Sequence, residues 1–215
     1  MNEIQAAVAV FDKLADVYQD KYMDVSLYHH SFDLFCDQIT QKNAEILELA
    51  CGPGNITQYL LKKRPDFKIL GTDLAPNMIE LAKINNPTAE FQVMDCMDIG
   101  QLDQKYDAIM CGFCLPYLSR EESVQLISDA GKILKPNGVL YLSTMEDNYS
   151  KSGPKTSSDG AYQLYMYFHQ ADYLAAVLQE NGFKIINLQR QDYPTQDGTK
   201  TVDLLILAAK NHVLQ

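Results

Sequence analysis

The chain has 215 residues, 47% hydrophobic and 21% charged. That length builds one α/β domain with a real core, whereas two domains would both be small. A net charge of −10 argues against DNA or RNA as a partner, because nucleic-acid binders carry a basic footprint.

The start, Met1-Asn2-Glu3 followed by a short Ala/Val run, lacks the basic opening and long apolar core of a signal peptide. No apolar stretch is long enough to span a membrane. The five cysteines are an odd number and lie in strand-like runs and a glycine turn. That pattern predicts free thiols and a cytoplasmic location rather than a disulfide framework.

Residues 1–40 read as helical. Val10, Leu14, Val17 and Tyr18 recur at helical spacing, and Leu27, Phe32, Phe35 and Ile39 resume it after a break near Met23-Asp24. This segment precedes the first strand and is expected to fold over the sheet edge as a cap. Its Tyr18 and Tyr22 are candidate pocket residues, and aromatic side chains of this kind also serve as plain packing.

Strand and helix patterns then alternate. Ile46–Leu49 is strand one, and Ile56–Lys63 the helix after a glycine turn. Lys68–Thr72 is strand two, ending at Asp73, and Pro76–Lys83 a helix with proline in its first turn. Glu90–Met94 is strand three, ending at Asp95, and Tyr106–Cys111 is strand four. Ser119-Arg120-Glu121-Glu122 is a capping box opening a helix to about Leu134. Lys135-Pro136-Asn137-Gly138 reads as a turn before strand five, Val139–Thr144. Such alternation demands crossover helices and a mostly parallel sheet with helices on both faces. Residues 146–168 break the rhythm as a polar, then aromatic, insertion. A helix from about Gln170 to Asn181 stops at Gly182. Strands at Lys184–Arg190 and Val202–Ala209 close the chain, joined through Pro194-Thr195-Gln196-Asp197-Gly198.

The chemistry concentrates at Glu48-Leu49-Ala50-Cys51-Gly52-Pro53-Gly54. A dinucleotide site wants three glycines, so that a pyrophosphate can rest on a helix N-terminus. Here Gly52 and Gly54 supply two, and Thr57 stands in the third place. Glu48, just before the turn, would repel a pyrophosphate and suits a ligand bearing an ammonium and a sulfonium. No Gly-Lys-Ser/Thr follows the turn, so a Walker loop is excluded. Asp73 stands about twenty residues on, where an acid can accept from ribose hydroxyls. Asp95 ends strand three, where it can accept from an adenine amino group. All of these fall at predicted strand carboxyl ends, where open α/β sheets bind ligands.

Glu48–Gly54 resembles motif I of the class I S-adenosylmethionine (SAM)-dependent methyltransferases. Gly71-Thr72-Asp73-Leu74-Ala75-Pro76-Asn77-Met78, Met94-Asp95-Cys96-Met97 and Leu134–Gly138 resemble their later segments. Tyr106–Met110, followed by Leu115-Pro116-Tyr117-Leu118, matches the strand-four region. The likeness runs from about Phe11 to Ala209. It implies a Rossmann-like three-layer sandwich, with a seven-stranded mostly parallel sheet and an antiparallel final strand, in one domain over 1–215. It implies SAM as cofactor and S-adenosylhomocysteine (SAH) as product. Glu48 and the backbone of Ala50, Cys51, Gly52 and Gly54 would hold the methionine part, and Asp73 the ribose. Asp95 with the backbone at Cys96 and Met97 would hold the adenine, against Leu74 and Met78. Tyr18 and Cys111 would line the cofactor side.

The acceptor side is expected from Tyr22, Tyr117, Tyr149, Tyr162 and His169, with Tyr165 and Tyr167 beside them, and an aromatic wall suggests a small organic acceptor. Two departures stand out. Ala50 replaces the usual first glycine, which a negative φ would accommodate, and Ala75 stands where many members have a polar helix cap. Cys111-Gly112-Phe113-Cys114 is a CxxC, but it lacks thioredoxin context and a second ligand pair for zinc, and it reads instead as backbone and small side chains lining the cofactor pocket. No metal is expected. The histidines are few: His29, His30, His169 and His212. Displacement at a sulfonium needs positioning more than a base, so no catalytic residue is assigned. A non-catalytic SAM-binding module and an NAD(P)-dependent oxidoreductase are the alternatives.

Overall fold

A computed structural model describes residues 3–156, 160, 162–194 and 200–211. His212 and the turn residues 195–199 lie outside the described residues, as do 157–159 and 161 within the insertion. The elements in chain order begin with helices α1 (Glu3–Lys13), α2 (Ala15–Tyr22) and α3 (His29–Gln38). Then come β1 (Glu45–Leu49), α4 (Asn55–Lys63), β2 (Lys68–Asp73), α5 (Pro76–Asn85) and β3 (Glu90–Val93). β4 (Tyr106–Cys111), α6 (Arg120–Ile133) and β5 (Leu134–Glu146) follow. Last are β6 (Gly153–Thr156), β7 (Gln163–Met166), α7 (Ala171–Glu180), β8 (Phe183–Pro194) and β9 (Lys200–Lys210).

Seven strands form one sheet in the order β3-β2-β1-β4-β5-β9-β8. β1 pairs parallel with β2 and β4, β2 with β3, and β4 with β5, while β9 runs antiparallel to both β5 and β8. The chain order reverses between β1 and β4, so a crevice opens at their carboxyl ends.

Period-two alternation sorts the core into two layers. Leu47, Leu49, Ile109, Cys111, Leu140 and Leu142 face one side, with Leu126 and Ile127 of α6 and Leu174 and Leu178 of α7. Ile46, Ala108, Met110 and Tyr141 face the other, with Phe32 and Phe35 of α3 and Leu60 of α4. Burying one such side chain contributes about 1.5–3 kcal/mol, and a strand buried on both faces reads as a continuous apolar run. Ile46–Leu49 reads that way except for Glu48, which is therefore the anomaly to explain.

The structure alters several boundaries. The N-terminal segment breaks at Leu14 (φ −105°) as well as near Met23. The turn expected at Lys135–Gly138 is an excursion inside β5: Tyr106 pairs with Leu134 and Ala108 with Val139, so two steps along β4 span five along β5. Asn137 takes φ 61° there. The insertion contains an antiparallel pair, β6 with β7, which its polar first half did not signal. The capping box is present, with Ser119 N–H donating to Glu122 Oε2 (2.7 Å) and Glu122 N–H to Ser119 Oγ (3.2 Å).

Ala75 cannot cap α5, and a residue from α1 does so instead. Asn77 N–H donates to Asp12 Oδ1 (2.8 Å), and Asn77 Nδ2 donates to the Asp12 carbonyl (3.1 Å). An acid at a helix N-terminus is favourable in itself, and here it also docks the N-terminal helices on the sheet edge.

Candidate cofactor site

Three residues of the turn after β1 adopt left-handed backbone: Ala50 at φ 51°, Gly52 at φ 53° and Gly54 at φ 79°. Ala50 thus does not take the negative φ that would accommodate its methyl. A non-glycine residue there costs roughly 1–2 kcal/mol. The loop holds this shape through Cys51 N–H to the Thr72 carbonyl (2.9 Å) and Gly54 N–H to the Cys51 carbonyl (3.0 Å).

The two glycines serve different ends. A Cβ on Gly54 would sit 2.3 Å from Asn86 Nδ2 and 3.3 Å from Ala82 Cα. Gly54 therefore permits close packing of α5 and does not line the cavity. Gly52 does line it, with the Tyr18 ring edge 3.7 Å from where its Cβ would be. Cys51 turns away, into a cluster with Ile79, Ala82 and Phe91.

Glu48 is 1% exposed and lies beneath the turn. Thr57 Oγ1 donates to its Oε2 (2.5 Å), while its Oε1 has no hydrogen-bond partner among the described residues. Burial pushes this carboxyl up to about 8, against the opposing pull of the Thr57 hydrogen bond. The residue standing in the third-glycine position thus serves the buried acid.

Asp73 ties two segments together. Its Oδ2 accepts from Gly52 N–H (2.9 Å) and its Oδ1 from Ala75 N–H (2.8 Å). Burial raises its carboxyl, opposed by those backbone hydrogen bonds. Asp95 caps the short turn Cys96–Gln101 by accepting from Met97 N–H (2.9 Å). That N–H is spent inside the chain, and the Met97 side chain packs on the core, which corrects its expected place on the adenine.

These parts border one cavity of about 850 Å³, counted to its open mouth. Of the residues singled out in the sequence, Tyr18, Ala50, Gly52, Asp73, Leu74, Met78, Asp95, Cys96 and Tyr117 line it. Cys111 does not: it is 0% exposed and packs in the core shared with α6 and α7. Tyr22 stands one layer back, its ring 4.5 Å from that of Tyr18.

Three of the residues expected on the acceptor side lie elsewhere. His169 is 0% exposed, and its Nε2 faces the carbonyls of Leu115 (3.0 Å) and Leu118 (3.1 Å). Burial lowers its basicity, so the neutral ring donates from Nε2 and pins the segment after β4. Tyr149 stacks on the Arg120 guanidinium, 4.3 Å from ring centre to Cζ. Tyr162 has Lys13 Nζ over its ring at 5.5 Å. Of the neighbouring tyrosines, Tyr165 packs beside Tyr167 (4.8 Å between rings), and Tyr167 Oη donates to Glu3 Oε2 (2.7 Å).

The cavity also takes in residues that the sequence reading passed over. Phe11 meets Tyr117 edge-on at 5.2 Å, and with Val8 it forms the roof contributed by α1. Phe113 lines the wall at φ 55°, its N–H bonded to Ser143 Oγ (2.9 Å). Helical spacing in residues 3–13 carried a signal for the α1 face. Nothing local signalled Phe113.

Among the described residues, no group of three His, Cys, Asp or Glu side chains is placed to hold a metal, and no helix is long and apolar enough to cross a membrane.

A methyltransferase-domain family model matches residues 46–138. The chain is 35% identical over 105 residues to a trans-aconitate 2-methyltransferase of Variovorax paradoxus, covering 49% of this chain and 39% of that one. It is 29% identical over 210 residues to a malonyl-[acyl-carrier protein] O-methyltransferase of Priestia megaterium, covering 86% and 74%. The chain spans less than half the length of some of the curated relatives it matches, 43% for one from Invertebrate iridescent virus 6 and 39% for the Variovorax paradoxus enzyme. Among solved structures, a magnesium protoporphyrin IX methyltransferase from Synechocystis superposes with a TM-score of 0.73 at 16% identity, over 98% of both chains. The fold is that of this methyltransferase structure, and the motif turn at the β1 edge and the domain match over residues 46–138 support a class I SAM-dependent methyltransferase.

Proposed function

We propose that this protein binds SAM in the cavity at the carboxyl ends of β1 to β4 and transfers its methyl group to a small organic acceptor. The observation that carries the reading is the set of groups facing that cavity. Its charged lining residues, among the described ones, are Asp73 and Asp95. Two acids and a backbone turn suit a cationic, phosphate-free adenosine ligand, and they oppose a pyrophosphate. The Ala50 and Gly52 backbone would receive the methionine part, above the buried Glu48. Asp73, with each oxygen already fixed by one N–H, keeps lone pairs for ribose hydroxyls. Leu74 and Met78 would flank the adenine, and Asp95 would accept from its amino group.

When bound, the cofactor supplies an electrophilic methyl on a good leaving group. The chain's share is orientation and exclusion of water. Phe11, Tyr18, Phe113 and Tyr117 supply an aromatic wall on which an acceptor can be held in line. Burial pushes the phenols of Tyr18 and Tyr117 up, so they serve as neutral hydrogen-bonding groups and not as bases.

The relatives named for trans-aconitate and for a malonyl group make small acyl compounds a reasonable first panel, beside neutral phenols and amines. Calorimetric titration of the pure protein with SAM and SAH tests the binding half, and saturable binding is expected. Failure of both to bind the folded protein would overturn the reading. A labelled-methyl screen tests transfer. Binding without turnover on any acceptor would favour a non-catalytic SAM-binding module.

A further inference from the structure

Two of the thiols meet at the cavity. Cys96 follows Asp95 at the end of β3, and Cys114 precedes the short turn Leu115–Tyr117 after β4. Their Sγ atoms lie 3.4 Å apart, and both residues line the cavity. Cys111 lies with Cys114 in the core cluster behind this wall. The other two thiols belong to other clusters. Cys36 belongs to the layer with α3 and α4, and Cys51 to the cluster under α5.

We propose that Cys96 and Cys114 are a cross-linking pair, joined as a disulfide by a two-electron oxidant of the peroxide class when the cavity holds no ligand, and that the bond shuts the proposed adenine end of the site. The shutting rests on the SAM reading above; the cross-link does not.

The geometry favours this pair over the sequence-adjacent CxxC. Cys96 is partly exposed, whereas Cys111 is 0% and Cys114 4% exposed. An oxidant arriving through the cavity therefore meets Cys96 first. One thiol is oxidised as the peroxide O–O bond breaks, giving Cys96 sulfenic acid and an alcohol or water. Cys114 then attacks that sulfur, the S–S bond forms, and water leaves. Two electrons pass to the peroxide, and no other reductant or oxidant is needed.

The sulfurs must close from 3.4 Å to about 2.0 Å. β3 and β4 are separated in the sheet by β2 and β1, so the bond ties two lips of the crevice across the strands that floor it. The mutual hydrogen bond and burial hold the Cys96 thiol well above its usual range. The pair is thus a slow thiol at neutral pH, dependent on a sustained oxidant.

The test is oxidation of the reduced, full-length protein with hydrogen peroxide or diamide, with and without saturating SAH, followed by non-reducing peptide mapping. The expected result is a Cys96–Cys114 cross-linked peptide that SAH suppresses. SAH affinity should fall at least tenfold on oxidation and return with dithiothreitol. Cys96→Ser and Cys114→Ser should each lose this oxidant sensitivity whatever their reduced affinity, while Cys51→Ser should still cross-link. Both are made as alanine variants too, so that one folded member of each pair is available. A Cys111–Cys114 peptide, no cross-link, or a cross-linked protein with undiminished affinity would overturn the proposal. If the reduced protein binds no SAH, the SAM reading fails, and the peptide map still decides the pairing.

Discussion

The two sides of the cavity are built by different means. The β1–β3 side is made of backbone and short-range bonds: the turn at Ala50–Gly54, Asp73 bonded to Gly52 and Ala75, and Asp95 bonded to Met97. The roof and far wall are held by side chains remote in sequence. Glu3 accepts from Tyr167, Asn77 donates to Asp12, Asn85 Nδ2 donates to Gln19 Oε1 (2.7 Å), and Tyr28 Oη donates to Asp203 Oδ2 (2.7 Å). The first side is a fixed receptor. The second is a docked layer, with the Glu3–Tyr167 and Asp12–Asn77 bonds exposed to solvent, so it opens locally at lower cost. Substitutions on the two sides should therefore fail differently: the first by losing the fold, the second by loosening α1 and α2 while the sheet stays intact.

The largest effect is expected at Gly54. Gly54→Ala adds a methyl 2.3 Å from Asn86 Nδ2 at φ 79°. Left-handed strain and overpacking against α5 together should cost about 2–4 kcal/mol, read as a fall in the urea midpoint. A neutral outcome would mean that α5 is not seated on the turn.

Glu48 gives the next largest, with a sign set by its raised carboxyl. The folded value is about 8, against an ordinary 4.5. Between those values the unfolded chain is ionised at this site while the folded protein keeps its proton. Stability from this group is therefore fully present below the ordinary value and lost as pH rises through the folded one. Glu48→Gln should flatten that decline in ligand-free protein, so that its advantage over wild type grows from one end of the window to the other. Urea melts at a series of pH values check it. Parallel curves would mean that Glu48 is already ionised in the fold.

On the docked side the expected loss is smaller and local. Asp12→Ala removes the acceptor for Asn77 N–H and should cost about 1 kcal/mol. Amide hydrogen exchange should quicken across α1 and α2 and stay unchanged in β1 and β4. Equal quickening in the sheet would erase the distinction between the two sides.

This division also explains what was legible in the sequence. The sheet and its carboxyl-end acids were readable because strand, turn and acid sit within a few residues of one another, and each carries a local signature. Glu48 was readable because a charge interrupts an apolar run. The N-terminal cap was readable as helices, but the partners of Phe113 and Phe11 were not, because they come from distant positions: Phe113 meets Tyr28 at 5.2 Å and Phe11 meets Tyr117. His169 misled for a related reason. It was expected on the acceptor side, and its partners, two carbonyls some fifty residues upstream, leave no local mark. Thr57 looked like a defect in a glycine motif, and its hydroxyl instead supplies a hydrogen bond to the buried Glu48 carboxyl group.

Ala50 tests the fixed side at its finest grain. Its φ of 51° is strained for alanine, yet its side chain packs against the central core cluster. Ala50→Gly relieves left-handed strain of roughly 1–2 kcal/mol, and it gives back about 0.5–1 kcal/mol in unfolded-chain entropy as well as that methyl contact. The net should be a gain of about 0.5 kcal/mol, seen as a small rise in Tm. The cavity-facing methyl also sets how near a ligand comes to the turn, so SAH affinity should move with little change in stability. A clear loss of stability would mean that methyl packing outweighs the strain, and that the alanine is a core residue first and a cradle residue second.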